Sequence, residues 1–428
     1  MDKSDLGRIE WFRQFKKEIR GSTEYLVVGI DIAKEKHHGF FGTANGKTLL
    51  KRLIFDNSRE GFEKLEIQVE ALQVRHGLSR VVYGMEPTAN YHKPLGEYLI
   101  GKGDEVVLVG GQAVFKNREL LDNRWDKHDT KDAANVADLV SQGKCVFYES
   151  PELALRELRV LLGLKRRLKR QEHAYQVRIR NGLLAQYFPE MDAYYEQGKA
   201  SCLGVVKWCL APSRISEMGF EELVGMVSSK RLLRTQEERL RAIWEKAPKS
   251  IGCEAGEAVA FEARVMVDQL RQTREMLKTT EEKIETLCEA SPEYESLRSI
   301  PGFGPDVSSK VLGALGDPLR FNSGRQVLKL AGLDLSADRS GKSSPKATPR
   351  ISKKGKSDLR YALFQAAFIA SSKNASFMAY HTRQLKGREK EKGIHYKRLV
   401  KLAAKLLVIA WTLMKKREVF DPSYLQHT

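Results

Sequence analysis

The order of strand and helix signals in residues 25–145 restricts the fold of this chain more than any other feature. The apolar run Tyr25–Asp31 opens the region, and an Asn45-Gly46 turn typical of β-hairpins lies between the next two apolar segments. Helices and strands then alternate along the chain. The elements predicted after the first strand are the strands His38–Thr43, Thr48–Phe55, Val81–Met85 and Glu105–Val109 and the helices Arg59–His76, Lys93–Gly101 and Asp129–Gln142.

This order predicts an α/β domain over residues 25–148. Three antiparallel strands open a mixed sheet, and alternating helices and strands complete it, as in the ribonuclease H-like architecture. Residues 1–24 precede the domain as an N-terminal extension. Because a chain of 428 residues is too long for one ordinary core, further domains are expected after it.

The rest of the chain has the pattern of an all-α protein. Residues 149–295 are predicted to be helical, and in Glu257–Glu289 apolar residues recur at steps of three and four with charges between them. That spacing fits a coiled coil or helical hairpin, and equally a helix packed within one globular unit. Residues 296–428 form a third predicted domain, mostly helical, which includes the helix–hairpin–helix-like turn Ile300–Pro305.

Charge narrows the range of partners. Lys and Arg number 73 against 55 Asp and Glu, and the net charge of +18 favours a polyanion, either nucleic acid or an anionic membrane. No stretch has the length and apolarity of a membrane span, so nucleic acid is preferred and no membrane partner is expected. The charged N-terminus lacks the apolar segment of a signal peptide, which predicts a cytoplasmic protein. The five scattered cysteines predict reduced thiols and no zinc site.

Four carboxylates are candidate metal ligands. Asp31 ends the first strand, Glu86 ends another, and Asp129 and Asp132 are three apart, on one helix face. If the strand ends meet in one cleft, the four carboxylates would repel one another unless divalent cations neutralised their charge. Ligands that are all oxygen atoms suit Mg²⁺ or Mn²⁺. Two such ions can clamp the attacking and leaving oxygens of a phosphodiester. The alternative is that each acid is an ordinary turn, cap or helix N-terminal residue.

Two further segments are candidate DNA contacts. Gly302 and Gly304 would let backbone amides approach a phosphate, unless they form a plain helix–helix turn. From Arg339 to Arg360, eight basic residues surround small hydroxyl side chains, so a serine there could lie beside a phosphate. Such a serine is more often only a backbone contact or solvated. The predicted contacts in this loop are Arg339, Gly341, Lys342, Arg350, Lys353 and Lys354.

Several short motifs occur in an order that resembles one known family. GIDIAK, GMEPTANYHKPL, HDTKDA, IPGFGP and RSGK resemble the DEDD-type insertion-sequence transposases, described as bridge-RNA-guided recombinases, with pilin-inversion relatives. The resemblance covers residues 25–145 and 296–415. It implies a C-terminal transposase domain with a nucleophilic serine, here Ser340, with Ser343 and Ser344 close by. It also implies a RuvC-like domain that binds Mg²⁺ through Asp31, Glu86, Asp129 and Asp132.

The resemblance implies DNA transposition or recombination through a phosphoserine intermediate, with a noncoding guide RNA that pairs donor and target. The expected partners are double-stranded DNA, this RNA and further copies of the chain in a homodimer or tetramer, in a nucleoid-associated bacterial protein. A basic helix is the candidate RNA surface, and its alternative is a solvated charged face. The predicted RNA contacts are Lys165, Arg166, Arg167, Lys169 and Arg170.

The sequence is also compatible with three other functions. A metal-dependent nuclease or junction resolvase would use the same carboxylates with water as the nucleophile. An actin-like sugar kinase has a first strand similar to GIDIAK, but the basic surplus and the missing adenosine loops argue against it. A catalytically silent DNA- or RNA-binding protein would not need Asp31.

Overall fold

The computed structural model describes residues 3–122, 129–195, 200–208, 210–229, 231–336 and 350–425. The chain forms two compact units, Met1–Glu152 and Leu153–Thr428. The first is a mixed α/β sheet domain and the second is mostly helical, so the predicted succession of α/β and all-α regions is confirmed. The boundaries predicted after residues 24, 148 and 295 stay predictions.

One sheet forms the centre of the described N-terminal unit. Its strands are β1 (Tyr25–Asp31), β2 (Lys36–Thr43), β3 (Thr48–Asp56), β4 (Arg80–Met85), β5 (Glu105–Leu108) and β6 (Val146–Phe147). They lie in the order β3-β2-β1-β4-β5-β6. β2 is antiparallel to β1 and β3, β4 and β5 continue parallel to β1, and β6 is antiparallel to β5. The predicted antiparallel opening and mixed sheet are therefore confirmed.

Helices cover both faces of this sheet. Within the described residues they are α1 (Lys3–Glu18), α2 (Arg59–His76), α3 (His92–Gly101), α4 (Gly111–Asp122) and α5 (Asp129–Ser141). Buried side chains form one cluster on the α2 and α3 face and another on the α1, α4 and α5 face. Residues 1–24 are predicted only as an extension, but α1 belongs to this core, because Phe15 and Ile19 are buried in the same cluster as Tyr25.

Two paired glycines allow α5 to lie directly on the sheet. Gly29 of β1 and Gly84 of β4 are neighbours in the parallel register. A Cβ on Gly29 would stand 2.2 Å from the carbonyl oxygen of Ala133, and one on Gly84 would stand 2.4 Å from Val140 Cγ2. Because such distances are far below van der Waals contact, any larger residue would push the helix away.

The second unit consists mainly of helices. α6 (Leu153–Val177) packs against the long α12 (Glu257–Glu289), and a π-helical turn, Arg178–Leu184, follows α6. Its other described α-helices and strands are α7 (Ala185–Tyr187), α8 (Ala200–Trp208), α9 (Pro212–Glu217), α10 (Phe220–Val227), α11 (Arg234–Lys246), α13 (Pro292–Arg298), α14 (Pro305–Leu315), α15 (Gly324–Ala331), β7 (Leu335–Ser336), β8 (Arg350–Ile351), α16 (Ser357–Lys373), α17 (Ala375–Leu385) and α18 (Ile394–Lys416).

The helices of the second unit enclose two hydrophobic clusters. One includes Leu183, Leu223 and Leu270, and the other includes Leu315 and Leu407. The helix predicted over Glu257–Glu289 is confirmed, and it buries side chains in both clusters. Within the described ranges, no helix combines the length and apolarity needed to cross a bilayer.

Candidate active site

Asp31 and Glu86 lie at the carboxyl ends of neighbouring parallel strands. Ile30 of β1 pairs with Met85 of β4, so the two acids that follow them stand side by side in the register. Neighbouring strands are about 4.8 Å apart. Each acid is two positions after a glycine that faces α5, and side chains alternate between the faces of a strand. The sheet therefore brings both acids to one edge.

Asp129, the first residue of α5, comes to the same edge. One donor atom from each of Asp31, His38 and Asp129 lies within 4.8 Å of the other two. His38 Nδ1 is 3.2 Å from Asp129 Oδ2. The side chain of His38 is 13% exposed and that of Asp129 is 61% exposed, so the group opens to solvent on the Asp129 side.

His38 reaches this group because of the β1–β2 register. Asp31 and His38 are directly paired across the antiparallel strands, and paired side chains lie on the same face. The adjacent His37 faces the opposite side, where it is fully buried and stacks on Phe62. Its Nδ1 accepts a hydrogen bond from the N–H of Ala33 at 3.2 Å, and burial lowers its pKa. His37 is therefore a neutral core residue that holds the loop after β1.

The other two predicted ligands are not part of the three-donor group. The Oε1 atom of Glu86 lies at the N-terminus of α4, 2.7 Å from the position that a Cβ on Gly111 would take. Asp132 is buried and accepts a hydrogen bond from Arg118 Nε at 2.8 Å, so a guanidinium balances its charge. Of the four predicted carboxylates, the structure groups Asp31 with Asp129.

A buried amide network holds α4 against α5. Asn117 donates to Asn135 Oδ1 at 2.9 Å and to Asp138 Oδ2 at 2.7 Å, and Asn135 donates to the carbonyl oxygen of Val114 at 2.7 Å. Both asparagines are buried. Because an unpaired buried polar group costs about 1–3 kcal/mol, the network fixes the relative position of the two helices. It thereby helps to place Asp129.

The grouped residues have the chemistry of a divalent-cation site. Two carboxylates supply hard oxygen donors, and the imidazole of His38 supplies a nitrogen donor that transition metals accept. The ligands predicted from the sequence are oxygen donors only, and they do not include His38. The signal that could have revealed it is the hairpin itself, because a short turn after Asp31 places one residue of β2 directly opposite that acid.

The predicted DNA contacts lie in two places in the second unit. Gly302 has φ of +89°, and a Cβ there would stand 2.5 Å from the carbonyl oxygen of Ala366, so this glycine lets the turn pack against α16. Gly304 directly precedes α14. The side chains of Arg350, Lys353 and Lys354 are exposed. The residues predicted at Ser340, Arg339, Gly341 and Lys342 lie outside the described residues, as do Ser343 and Ser344.

The predicted RNA contacts lie on α6. Three of them, Lys165, Arg166 and Lys169, line a cleft of about 870 Å³ together with residues of α14 and the start of α16. Lys165 is only 12% exposed and contacts Asp306 at 2.7 Å and Glu281 at 3.1 Å. Arg166 pairs with Asp358 at 2.7 Å. Lys169 lies 3.3 Å from Glu172, so ion pairs within the unit engage three of the five predicted residues. The side chains of Arg166, Arg167, Lys169 and Arg170 are exposed.

Two family models match separate parts of this chain. Residues 28–189 match the IS110-type DEDD transposase model, and residues 294–382 match a model described as the transposase IS116/IS110/IS902 family. The first range includes all four predicted carboxylates, and the second includes the turn Ile300–Pro305 and the basic loop. The chain belongs to the IS110/IS116 family of transposases. It is therefore an enzyme that acts on DNA strands.

Two relatives match this IS110/IS116-family transposase over nearly its whole length, and a third matches part of it. It is 26% identical to the insertion element IS110 43.6 kDa protein of Streptomyces coelicolor, over 92% of this chain and 95% of the relative. It is 20% identical to the insertion element IS116 44.8 kDa protein of Streptomyces clavuligerus, over 93% and 96%. The pilin gene-inverting protein of Moraxella bovis is 29% identical over 36% of the transposase and 48% of its own length.

Proposed function

We propose that this transposase cuts and exchanges DNA strands of a mobile insertion element through a covalent serine–DNA intermediate. A guide RNA pairs the donor with the target. The observation that carries the proposal is the grouping of Asp31 and Asp129 at the carboxyl end of β1, since a divalent cation there would act on phosphodiesters. The sheet order, with its antiparallel β2, further supports a RuvC-like assignment for the N-terminal unit.

Asp31, Glu86, Asp129 and Asp132 are the proposed carboxylate ligands of Mg²⁺ or Mn²⁺. When bound, the metal would polarise a phosphodiester and stabilise the charge that develops on its oxygens. Asp31 belongs to a buried central strand, and Asp129 and Asp132 belong to a helix that packs directly on that strand. Asp31 and Asp129, on such rigid elements, need little rearrangement to take up the metal, whereas Asp132 would join them only by leaving Arg118.

Ser340 is the proposed nucleophile. Its hydroxyl oxygen attacks a DNA phosphorus atom, the bond to one deoxyribose oxygen breaks, and the serine proton ends on the released hydroxyl group. The phosphoserine diester keeps the free energy of the broken bond, so the hydroxyl of another strand can attack it and restore the serine without ATP. The exposed Arg350, Lys353 and Lys354 support this role, because they offer positive charge to phosphates.

The guide RNA and a homodimer or tetramer complete the proposed assembly. Base pairing would select the sequence, and the protein would bind the RNA mainly through its backbone and shape. The exposed side chains on α6 are the proposed contacts: Arg166, Arg167, Lys169 and Arg170. Lys165 would join them only by leaving its two carboxylate partners.

A covalent adduct tests this mechanism directly. The full chain is incubated with Mg²⁺ or Mn²⁺, labelled DNA that spans the element ends, and RNA transcribed from the flanking noncoding segment, and is then denatured. We expect a labelled protein–DNA adduct that disappears in Ser340→Ala. Ser343→Ala and Ser344→Ala are the matched controls and should keep it.

Two results would overturn the serine mechanism. Cleaved DNA without any adduct would identify the alternative, a metal-dependent nuclease or junction resolvase that uses water. An adduct that persists in Ser340→Ala and disappears in one of the two control variants would assign the nucleophile to another serine.

A further inference from the structure

We infer that His38 is a direct nitrogen ligand of the catalytic metal, which gives this transposase a preference for Mn²⁺ over Mg²⁺. The inference rests on the proposed metal centre and deepens it. It adds to the four carboxylates a residue from β2, the strand that pairs with β1.

The donor distances support a ligand role for His38. Two adjacent ligands of an octahedral ion at about 2.1 Å stand about 3 Å apart, and two opposite ligands stand about 4.2 Å apart. His38 Nδ1 and Asp129 Oδ2 are 3.2 Å apart, and the donors of Asp31, His38 and Asp129 all lie within 4.8 Å of one another. The three atoms are thus already spaced for one ion, with small adjustments.

The backbone around His38 favours a fixed position for its ring. β2 lies between β1 and β3, and His38 pairs with Asp31 on one side and Ile54 on the other. The side chain is only 13% exposed. His37, buried on the opposite face, anchors the same strand. A ligand held in this way loses little conformational freedom when it binds an ion.

Nitrogen coordination determines which metal such a site prefers. Mg²⁺ is a hard ion that takes oxygen ligands and keeps several waters. Affinity for nitrogen donors increases along the first-row transition metals, and Mn²⁺, at the start of that series, accepts both carboxylate and imidazole. A site that adds one imidazole to its carboxylates is therefore expected to bind Mn²⁺ more tightly than Mg²⁺.

The alternative role of His38 is that of a neighbour that only contacts Asp129 and orients it. In that case the metal would have oxygen ligands alone. The two roles differ in one observable: a coordinated imidazole places a ¹⁴N nucleus directly on the metal, and an orienting imidazole does not.

Pulsed electron paramagnetic resonance of the Mn²⁺-loaded full chain, without DNA, separates these roles. We expect ¹⁴N hyperfine coupling in the wild type, and its replacement by ¹⁵N coupling when histidine is labelled with ¹⁵N. The coupling should disappear in His38→Asn and His38→Asp and persist in the control His76→Asn, which alters an exposed histidine at the end of α2. The labelled wild type keeps the test valid if a variant does not fold.

The same samples give metal affinities. His38→Asn should bind Mn²⁺ at least about tenfold more weakly. His38→Asp should restore binding through oxygen and lower the ratio of Mn²⁺ to Mg²⁺ affinity. Bound Mn²⁺ without nitrogen coupling, or coupling that persists in both His38 variants, would overturn the inference and leave the metal centre standing. A wild type that binds no Mn²⁺ would overturn both.

Discussion

Burial raises the pKa of two neighbouring carboxyl groups at the beginning of β5. Glu105 begins β5, and burial of its carboxyl raises its pKa to about 7, although Arg80 and Arg8 act in the opposite direction. The preceding Asp104 has a pKa raised to about 6, again mainly by burial. A sequence cannot show such shifts, because they depend on which side chains surround the carboxyl in the folded chain.

Glu105→Gln should change how stability depends on pH. The folded state keeps a proton on Glu105 up to about pH 7, and the unfolded chain releases it near 4.5, so wild-type stability falls as pH rises between these values. The variant avoids this loss and should be more stable than the wild type above pH 7 by about 1 kcal/mol, after allowance for solvent screening. The difference should vanish below pH 4.5.

Urea unfolding between pH 4 and 8 measures this difference in the free energy of unfolding. Glu119→Gln, which alters an exposed acid of α4, is the matched control and should follow the wild type. A difference between Glu105→Gln and the wild type that is constant across the pH range would disprove the assigned cause.

At the scale of elements, the contact between α5 and the sheet determines whether the site forms. Gly29 and Gly84 let the helix lie close, and the amides of Asn117 and Asn135 fix it to α4. The order of strands and helices along the chain is predictable, because apolar runs, the Asn-Gly turn and helical periodicity are local signals in the sequence. The helix over Asp129–Gln142 is predicted, but its close packing on the sheet is not. Both strand-end acids have a glycine two positions earlier, yet the sequence does not show which face of the strand a glycine lies on or what packs against it.

Gly29→Ala should displace α5 and weaken the site. The new Cβ would stand 2.2 Å from a backbone oxygen of Ala133, which cannot turn away as a side chain can. We expect the free energy of unfolding to fall by about 1–3 kcal/mol and Mn²⁺ binding to weaken, because Asp129 begins the displaced helix. Gly101→Ala, where a Cβ meets nothing within 4 Å, is the control. Thermal unfolding and metal titration that match the wild type would contradict this role of Gly29.

The whole chain carries a net charge of +18, although the candidate metal site in the first unit is acidic. Family resemblance and charge predict that this enzyme acts on nucleic acid, and the family comparisons confirm an enzyme acting on DNA strands. The ligand set was less predictable. Asp31 and Asp129 could be chosen from sequence order, but His38 depends on a strand register and the Arg118 partner of Asp132 depends on helix packing.

We propose that the acids at the carboxyl end of β1 hold the metal that acts on DNA. Single-turnover cleavage of element-end DNA, with the flanking RNA and Mn²⁺ or Mg²⁺, tests this claim most directly in Asp31→Asn. Asp56→Asn, which alters an exposed acid at the end of β3, is the control. We predict that Asp31→Asn, folded as the wild type by circular dichroism, cleaves at least about a hundredfold more slowly. Cleavage by Asp31→Asn at the wild-type rate would contradict the account.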